Sequence, residues 1–212
     1  MFGNFGSNSD LSSSIGLSNT GNQFWNLTPA ELVEDTILQG EGLLTDTGAL
    51  AIDTGEFTGR SPKDRFIVED ELTKDSVWWG DINKGISPNK FDTIYSRMKS
   101  YLSGRDIYVR DAYACADDEF RMNIRVITEL PWSNMFAYNM FLRPTQEEIS
   151  SFSPDWTIIC APGFMADPEI DGTRQHNFAV LNFSKKMILI GGTGYTGVIK
   201  NGIFSVLNVV LP

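Results

Sequence analysis

The chain has 212 residues, of which 42% are hydrophobic and 12% aromatic, enough for a packed core in one domain. Its 17 Lys and Arg residues and 27 Asp and Glu residues give a net charge of −10, which excludes nucleic acid as the main partner because neutralising phosphates requires a basic face. We expect no membrane span and no secretory signal peptide, since the sequence shows neither pattern. Cys115 and Cys160 predict free thiols in a reducing compartment, and therefore a cytoplasmic protein.

The first third of the chain predicts an arm followed by alternating helices and strands. Residues 1–23 are rich in Asn, Ser and Gly and are predicted to form a flexible arm or to be ordered only by packing elsewhere; one α/β domain then spans 24–212. The capping pattern of Thr28, Pro29 and Glu31 predicts a helix that ends near Gly40. Short apolar runs predict strands at 50–52 and 65–68, and Ser87 starts a helix with one apolar face.

The rest of the chain predicts a sheet with two kinds of strand pairing. Strands are expected at 107–109, 122–128, 156–160, 178–183 and 187–190, and helices at 132–140, after Thr145, and at 198–211. The strand at 122–128 alternates apolar and polar residues with the period of two that is typical of a β-strand. Residues 184–186 are predicted to form a hairpin turn. The order lacks a steady βαβ alternation, so we predict an α/β fold with a mixed β-sheet packed with helices.

The most informative segment is the run TGEFTGRSPKDR at 54–65, between two predicted strands. Its two glycines free the backbone, and Arg60, Lys63 and Arg65 place three positive charges within six positions of an acidic chain. The planar fork of an arginine holds a carboxylate or phosphate through two parallel hydrogen bonds. The segment therefore fits a pocket for a small anion, and it equally fits a surface turn with solvated charges.

A second glycine cluster, GGTGYTG at 191–197, follows a predicted strand and precedes a helix that contains Lys200. In this order, the two segments resemble the ATP-dependent phosphoenolpyruvate carboxykinases, which carry TG-x-x-TGRSPKD-[KR] and later GGT-x-Y-x-GE-x-KKG-[IM]-[FL]. The segments NIRVITE at 123–129 and NMFLRP at 139–144 also look like that family. The resemblance runs from about residue 27 to residue 212 and implies the fold of the family's N-terminal domain.

The resemblance implies an enzyme that decarboxylates oxaloacetate and phosphorylates the resulting enolate with ATP, giving phosphoenolpyruvate, carbon dioxide and ADP. Arg60 would bind a substrate carboxylate, and Tyr195 would also contact the substrate. Lys200, matching the first lysine of the family's pair, would stabilise the enolate and the transferring phosphoryl group. The recognition role requires Arg60 to project into a water-shielded cleft and to face the ring of Tyr195.

The sequence departs from the family pattern in the second segment. Val198 stands where the family has glutamate, and Asn201 where it has the lysine that approaches a protein-bound metal. No Walker A motif is found, and His176 does not match the family's metal histidine. The resemblance therefore implies that this chain alone binds neither metal nor nucleotide, whereas ATP and Mn²⁺ or Mg²⁺ would serve the complete enzyme.

Three alternatives remain open from the sequence. The chain is the substrate-binding domain of such an enzyme and inactive alone, a stand-alone non-catalytic relative that binds a small carboxylate or acts as an interaction module, or a remnant that binds nothing. If a second domain normally covers one face, that face is expected to be apolar and to favour self-association. The helix at 198–211 would carry it, through Ile199, Ile203, Phe204, Leu207 and Val210.

Overall fold

The computed structural model describes residues 8–211, with the side chains of residues 8–10 not included. The helices are α1 (Asn8–Ile15), α2 (Pro29–Leu38), α3 (Pro88–Leu102), α4 (Pro131–Met140), α5 (Gln146–Ser150), α6 (Pro168–Asp171) and α7 (Gly197–Val210). The strands are β1 (Gln23–Trp25), β2 (Gly42–Leu44), β3 (Leu50–Ile52), β4 (Arg65–Val68), β5 (Lys84–Ile86), β6 (Ile107–Ala114), β7 (Met122–Thr128), β8 (Trp156–Ala161), β9 (Phe178–Asn182) and β10 (Met187–Gly191).

Eight strands form one mixed sheet in the order β1-β6-β7-β8-β10-β9-β4-β5, and β2 pairs with β3 in a small separate hairpin. Within the large sheet, β6 pairs antiparallel with β7 and β9 pairs antiparallel with β10, whereas the other neighbouring strands are parallel. The predicted mixed α/β fold is therefore confirmed. The predicted turn at 184–186 closes the β9–β10 hairpin, and Lys186 there has a positive φ of 50°.

Local hydrogen bonds explain where the helices begin. At α2, the backbone N–H of Thr28 donates to Glu31 Oε2 at 2.8 Å and the N–H of Glu31 donates to Thr28 Oγ1 at 3.4 Å, which completes the predicted capping box. Thr145 and Glu148 form the same reciprocal pair before α5. Ser87 Oγ accepts from the N–H of Lys90 at 3.3 Å and caps α3.

Helices cover both faces of the sheet, so that it has two apolar cores. On one face, the buried stripe of α3 (Phe91, Ile94, Met98 and Leu102) packs in the same cluster as Val180 and Leu189. On the other face, α7 contributes Ile199, Ile203 and Val206, which share a cluster with Leu181, Ile188 and Ile190. No helix within residues 8–211 combines the length and apolarity that a membrane crossing requires. Cys115 and Cys160 are free thiols, as predicted.

The described part of the N-terminal segment, 11–23, is ordered by packing, the second of the two alternatives, and is not a flexible arm. Leu11 and Leu17 are completely buried, and the N–H of Gly21 donates to the carbonyl of Arg105 at 2.7 Å. These two leucines supply enough apolar area to order a segment of polar composition. The packed part of the chain thus begins before residue 24, whereas residues 1–7 lie outside the described residues.

Strand β7 forms where its alternating residues predict a strand, and it is buried along nearly its whole length. The strand lies inside the sheet, and Arg125 is only 4% exposed. Its Nε and Nη2 donate to Asp111 Oδ1 and Oδ2 at 2.7 and 3.1 Å, across the β6–β7 pair. A charged residue can occupy a buried strand position when a carboxylate neutralises it.

Candidate anion-binding site

The strand register brings the two glycine-containing segments to one edge of the sheet. Arg65, the first residue of β4, pairs with Ala179 of β9, and Ala179 pairs with Ile190 near the end of β10. Because β4 begins where β10 ends, the segment before β4 and the segment after β10 emerge at the same edge. We call residues 54–65 the arginine loop and residues 192–196 the glycine turn.

The arginine loop and the glycine turn are in direct contact. Thr193 Oγ1 donates a hydrogen bond to the carbonyl oxygen of Phe57 at 2.8 Å, and the N–H of Tyr195 donates to Thr193 Oγ1 at 3.1 Å. A Cβ atom placed on Gly194 would lie 2.6 Å from the carbonyl oxygen of Thr54, so only glycine allows this approach. The arginine loop is therefore packed against the glycine turn rather than being an isolated surface turn.

Contacts from the segment before β9 hold the C-terminal end of the arginine loop. Asp64 is 2% exposed and accepts from Arg174 Nε at 2.7 Å, from Arg174 Nη2 at 2.8 Å and from Gln175 Nε2 at 2.8 Å. The hydrogen bonding of Arg174 to the Asp64 carboxylate raises the pKa of its guanidinium above the ordinary value, although burial acts in the opposite direction. Ser61 adopts a left-handed backbone with φ of 40° immediately before the short 3₁₀ turn Pro62–Asp64.

A small cleft lies between the arginine loop, the start of β9 and the N-terminus of α7. Its cavity volume is about 10 Å³, which is roughly the space of one water molecule. Its walls come from these three parts of the chain: Arg60, Ser61, Asp64 and Arg65; Asn177, Phe178 and Ala179; Thr193 and Val198. The cleft thus unites both predicted motifs, which are far apart in the sequence.

Arg60 lies at the mouth of this cleft, but its side chain is exposed. The condition that the sequence set for a recognition role, a water-shielded Arg60, is therefore not met in this chain, because the cleft is too small to enclose a guanidinium. A role for Arg60 in binding a ligand thus rests on the family pattern and on the packing of its loop. Within the part of the chain that the structure describes, the Arg60 side chain has no hydrogen bond or ion pair with another residue. Its fork is thus directed at solvent and open to a ligand.

Tyr195 and Lys200 lie near the cleft but are not part of its walls. Tyr195 is half-buried, packs against the apolar cluster beneath α7, and is two residues from the wall residue Thr193. Lys200 is exposed on the first turns of α7, next to half-buried Asn201. The structure therefore brings Arg60, Thr193 and Val198 together around one cleft. The roles predicted for Tyr195 and Lys200 stay predictions.

Sequence reasoning missed two residues of this region, and it counted Arg65 among the cations of the arginine loop without giving it a role of its own. Arg174 and Gln175 bind Asp64, and Arg65 lines the cleft beside Arg60. The one signal for these contacts in the sequence was Asp64, an acidic residue inside a basic run, because it suggests a cationic partner elsewhere in the chain. His176, in the same segment as Arg174, is exposed and its Nδ1 lies 2.9 Å from the carbonyl oxygen of Ala166.

The described side chains do not fit a metal centre. Among residues 11–211, no group of three or more His, Cys, Asp and Glu side chains is placed to hold a metal ion. Asp64, the acid in the cleft, already accepts from Arg174 and Gln175. The charged side chains that line the cleft are therefore Arg60, Arg65 and the already paired Asp64.

These features define an α/β protein whose sheet edge presents a cationic loop packed on a glycine turn. A family model described as phosphoenolpyruvate carboxykinase matches residues 21–212, so the chain belongs to the phosphoenolpyruvate carboxykinase family. This membership confirms the resemblance read from the two motifs.

The curated relatives are considerably longer than this chain. Phosphoenolpyruvate carboxykinase (ATP) of Christiangramia forsetii is 63% identical over 188 residues, which cover 89% of this chain and 35% of the relative. The enzyme of the same name from Flavobacterium johnsoniae is 56% identical over 188 residues, which cover 89% of this chain and 35% of the relative. That of Thermus thermophilus is 46% identical over 193 residues, which cover 89% of this chain and 36% of the relative. The chain thus spans about a third of the length of these relatives.

Proposed function

We propose that this chain is the substrate-recognition domain of an ATP-dependent phosphoenolpyruvate carboxykinase. The reaction would convert oxaloacetate and ATP into phosphoenolpyruvate, carbon dioxide and ADP, a decarboxylation that serves gluconeogenesis in the cytoplasm. The observation that carries the proposal is the packing of the arginine loop on the glycine turn, which presents Arg60 at a fixed edge of the sheet. Family membership supports the same reaction class.

The three predicted residues have distinct chemical roles in this proposal. Arg60 binds one substrate carboxylate through its free fork. Tyr195 orients the carboxylate or the released carbon dioxide without adding charge. Lys200 stabilises negative charge on the enolate oxygen and the transferring phosphoryl group. Phosphoryl transfer depends on positioning and charge stabilisation, and ATP with Mn²⁺ or Mg²⁺ would be held by parts of the enzyme beyond this third.

Carboxylate binding by Arg60 is testable on this chain alone. Titration calorimetry with oxalate should show binding that Arg60→Ala weakens by about 1.5–3 kcal/mol, the amount expected for a charge-assisted hydrogen bond. Lys63→Ala is the matched control, because Lys63 is an exposed cation of the same loop outside the cleft walls. Equal loss in both variants would indicate a nonspecific charge effect and contradict the proposed role.

We also propose that the isolated chain has no turnover. An assay with oxaloacetate, ATP and Mn²⁺ should detect no ATP-dependent decarboxylation, because no phosphate-binding loop motif occurs in the sequence. Measurable phosphoenolpyruvate production by this chain would contradict that part of the proposal and leave the carboxylate site intact.

The second candidate is a non-catalytic relative that binds a carboxylate or a protein partner. Val198 and Asn201 favour it, as does the outer face of α7, where Phe204, Val209 and Val210 are 61, 47 and 56% exposed. Ile199 and Ile203, which the sequence placed on this contact face, are instead buried against the sheet. Sedimentation equilibrium should show self-association that Phe204→Glu weakens. A wild-type monomer at every concentration would eliminate self-association through this face.

A further inference from the structure

Arg65 is a second cation of the cleft, and the sequence indicated only that it adds to the positive charge of the arginine loop. It occupies the first position of β4, is half-buried, and lines the same small cavity as Arg60. Its Nη1 lies 3.4 Å from Ser205 Oγ, at the long limit for a hydrogen bond. Burial lowers the pKa of the Arg65 guanidinium below its ordinary value.

No acid in the described structure neutralises Arg65. Among the side chains of residues 11–211, none of the carboxylates lies within ion-pair distance of it. Asp64, the acid nearest in the sequence, uses both oxygens to accept from Arg174 and Gln175. The wall residue that α7 contributes to the cleft, Val198, is apolar. The cleft therefore carries two guanidinium charges and no available counter-charge.

Such an arrangement is unfavourable without a ligand. A cation that is partly removed from water loses hydration, and an opposite charge is needed to offset that loss. The cavity itself has a volume of about 10 Å³, room for roughly one water-sized group. A ligand would therefore sit at the mouth beside exposed Arg60 and direct one anionic oxygen group inward.

We propose that Arg65 is a second anion-binding residue of the cleft, so that Arg60 at the mouth binds one carboxylate of a dicarboxylate ligand and Arg65 in the wall binds the other. This inference rests on the proposed function and assigns a second binding residue to it. A single arginine would accept monocarboxylates nearly as well, whereas two arginines require both negative charges on the ligand.

Two probes of similar shape separate these cases. Oxalate carries two carboxylates, whereas oxamate carries one carboxylate and one neutral amide. Titration calorimetry at constant pH and salt should show that the wild type binds oxalate at least about tenfold more tightly than oxamate, given the strength of charge-assisted hydrogen bonds. Arg65→Gln should reduce oxalate affinity about tenfold, change oxamate affinity little, and bring the ratio of the two affinities close to one.

Stability gives an independent measurement. Because Arg65 has no acidic partner, Arg65→Gln should leave the urea midpoint unchanged or raise it, so lost binding cannot be ascribed to unfolding. Arg65→Lys retains a charge and should preserve part of the preference for oxalate. Lys63→Gln is the matched control and should leave the ratio of affinities at its wild-type value.

The outcomes distinguish this inference from the proposed function. If Arg60→Gln abolishes oxalate binding and Arg65→Gln keeps the wild-type ratio, the role of Arg65 is overturned and that of Arg60 stands. If Arg65→Gln loses the preference and Arg60→Gln does not weaken oxalate, the proposed role of Arg60 fails and that of Arg65 stands. A wild-type chain that binds no oxalate, or binds oxamate equally well, overturns the dianion site.

Discussion

Thr193 and Phe57 are separated by 136 positions in the sequence, yet the Thr193 hydroxyl donates a 2.8 Å hydrogen bond to the Phe57 carbonyl oxygen. Thr193 is 5% exposed, so this bond is largely shielded from water. The same hydroxyl accepts from the N–H of Tyr195 and thereby fixes the glycine turn. One side chain thus joins the two segments on which any anion-binding role of this chain depends.

Replacing the Thr193 hydroxyl should loosen this junction. Thr193→Val keeps the shape but leaves the Phe57 carbonyl and the Tyr195 N–H without this partner, so we expect a loss of about 1–3 kcal/mol in the free energy of unfolding. Urea denaturation measures the loss, and hydrogen exchange should accelerate for amides in the arginine loop. Thr193→Ser retains the hydroxyl and is the control. Equal free energies of unfolding for Thr193→Val and Thr193→Ser would show that the hydrogen bonds of the Thr193 hydroxyl do not contribute to stability.

The close approach of Gly194 to Thr54 predicts a strong difference between two glycines. A Cβ on Gly194 would lie 2.6 Å from the Thr54 carbonyl oxygen, whereas a Cβ on Gly59 would have no atom within 4 Å. Gly194→Ala must therefore displace backbone, and we expect a loss of about 1–3 kcal/mol. Gly59→Ala, in the arginine loop itself, should be close to neutral. Thermal and urea unfolding of the two variants provide the comparison, and comparable losses would argue against close packing of the glycine turn on the arginine loop.

Much of the local structure was predictable because its causes lie within a few residues. The capping boxes at Thr28 and Thr145 need only four consecutive positions, and the buried stripe of α3 follows from helical spacing. The contact between Asp64 and Arg174 joins residues 110 positions apart. It depends on β4 lying beside β9, and no local pattern encodes that strand order.

The candidate site shows the same limit. Its two motifs and Arg60 were visible in the sequence, because residue types and spacing carry a family pattern. The cation Arg65 was missed as a wall residue, since its position depends on the β4–β9 register. The burial of Arg125 was missed because its partner Asp111 lies on the neighbouring strand.

Asp70 should make stability depend on pH in the acid range. Burial raises the pKa of this carboxyl, but hydrogen bonds from Ser184, Thr73 and the N–H groups of Leu72 and Thr73 outweigh it, so the pKa lies below its ordinary value of 3.8. Ser184 Oγ donates to Asp70 Oδ2 at 2.6 Å. A depressed folded pKa means that the stabilisation is present above pH 3.8 and is lost as the pH falls through the folded value.

Asp70→Asn should therefore reduce the loss of unfolding free energy between pH 7 and pH 3, measured by urea denaturation. Ser184→Ala removes one of the donors and should give an intermediate dependence. Identical pH profiles for the wild type and Asp70→Asn would indicate that this carboxyl has the same pKa in the folded and unfolded chain.

The two thiols should differ in reactivity. Cys160 is 3% exposed on β8, and burial, followed by the nearby charge of Glu129, raises its pKa to about 12. Because the thiolate is the reactive species, Cys160 should not react with a disulfide reagent at pH 8 while the chain is folded. The half-buried Cys115 is the one thiol open to slow modification.

Titration with Ellman's reagent checks this difference. The native wild type should react at no more than one thiol, and the native Cys115→Ser variant should react at none. In urea, both proteins should react at every thiol that they contain. Rapid reaction of the folded Cys115→Ser variant would mean that the sheet around β8 opens readily. In that event the edge that carries the glycine turn would be too mobile to hold Arg60 and Arg65 in fixed positions, because β10 pairs directly with β8.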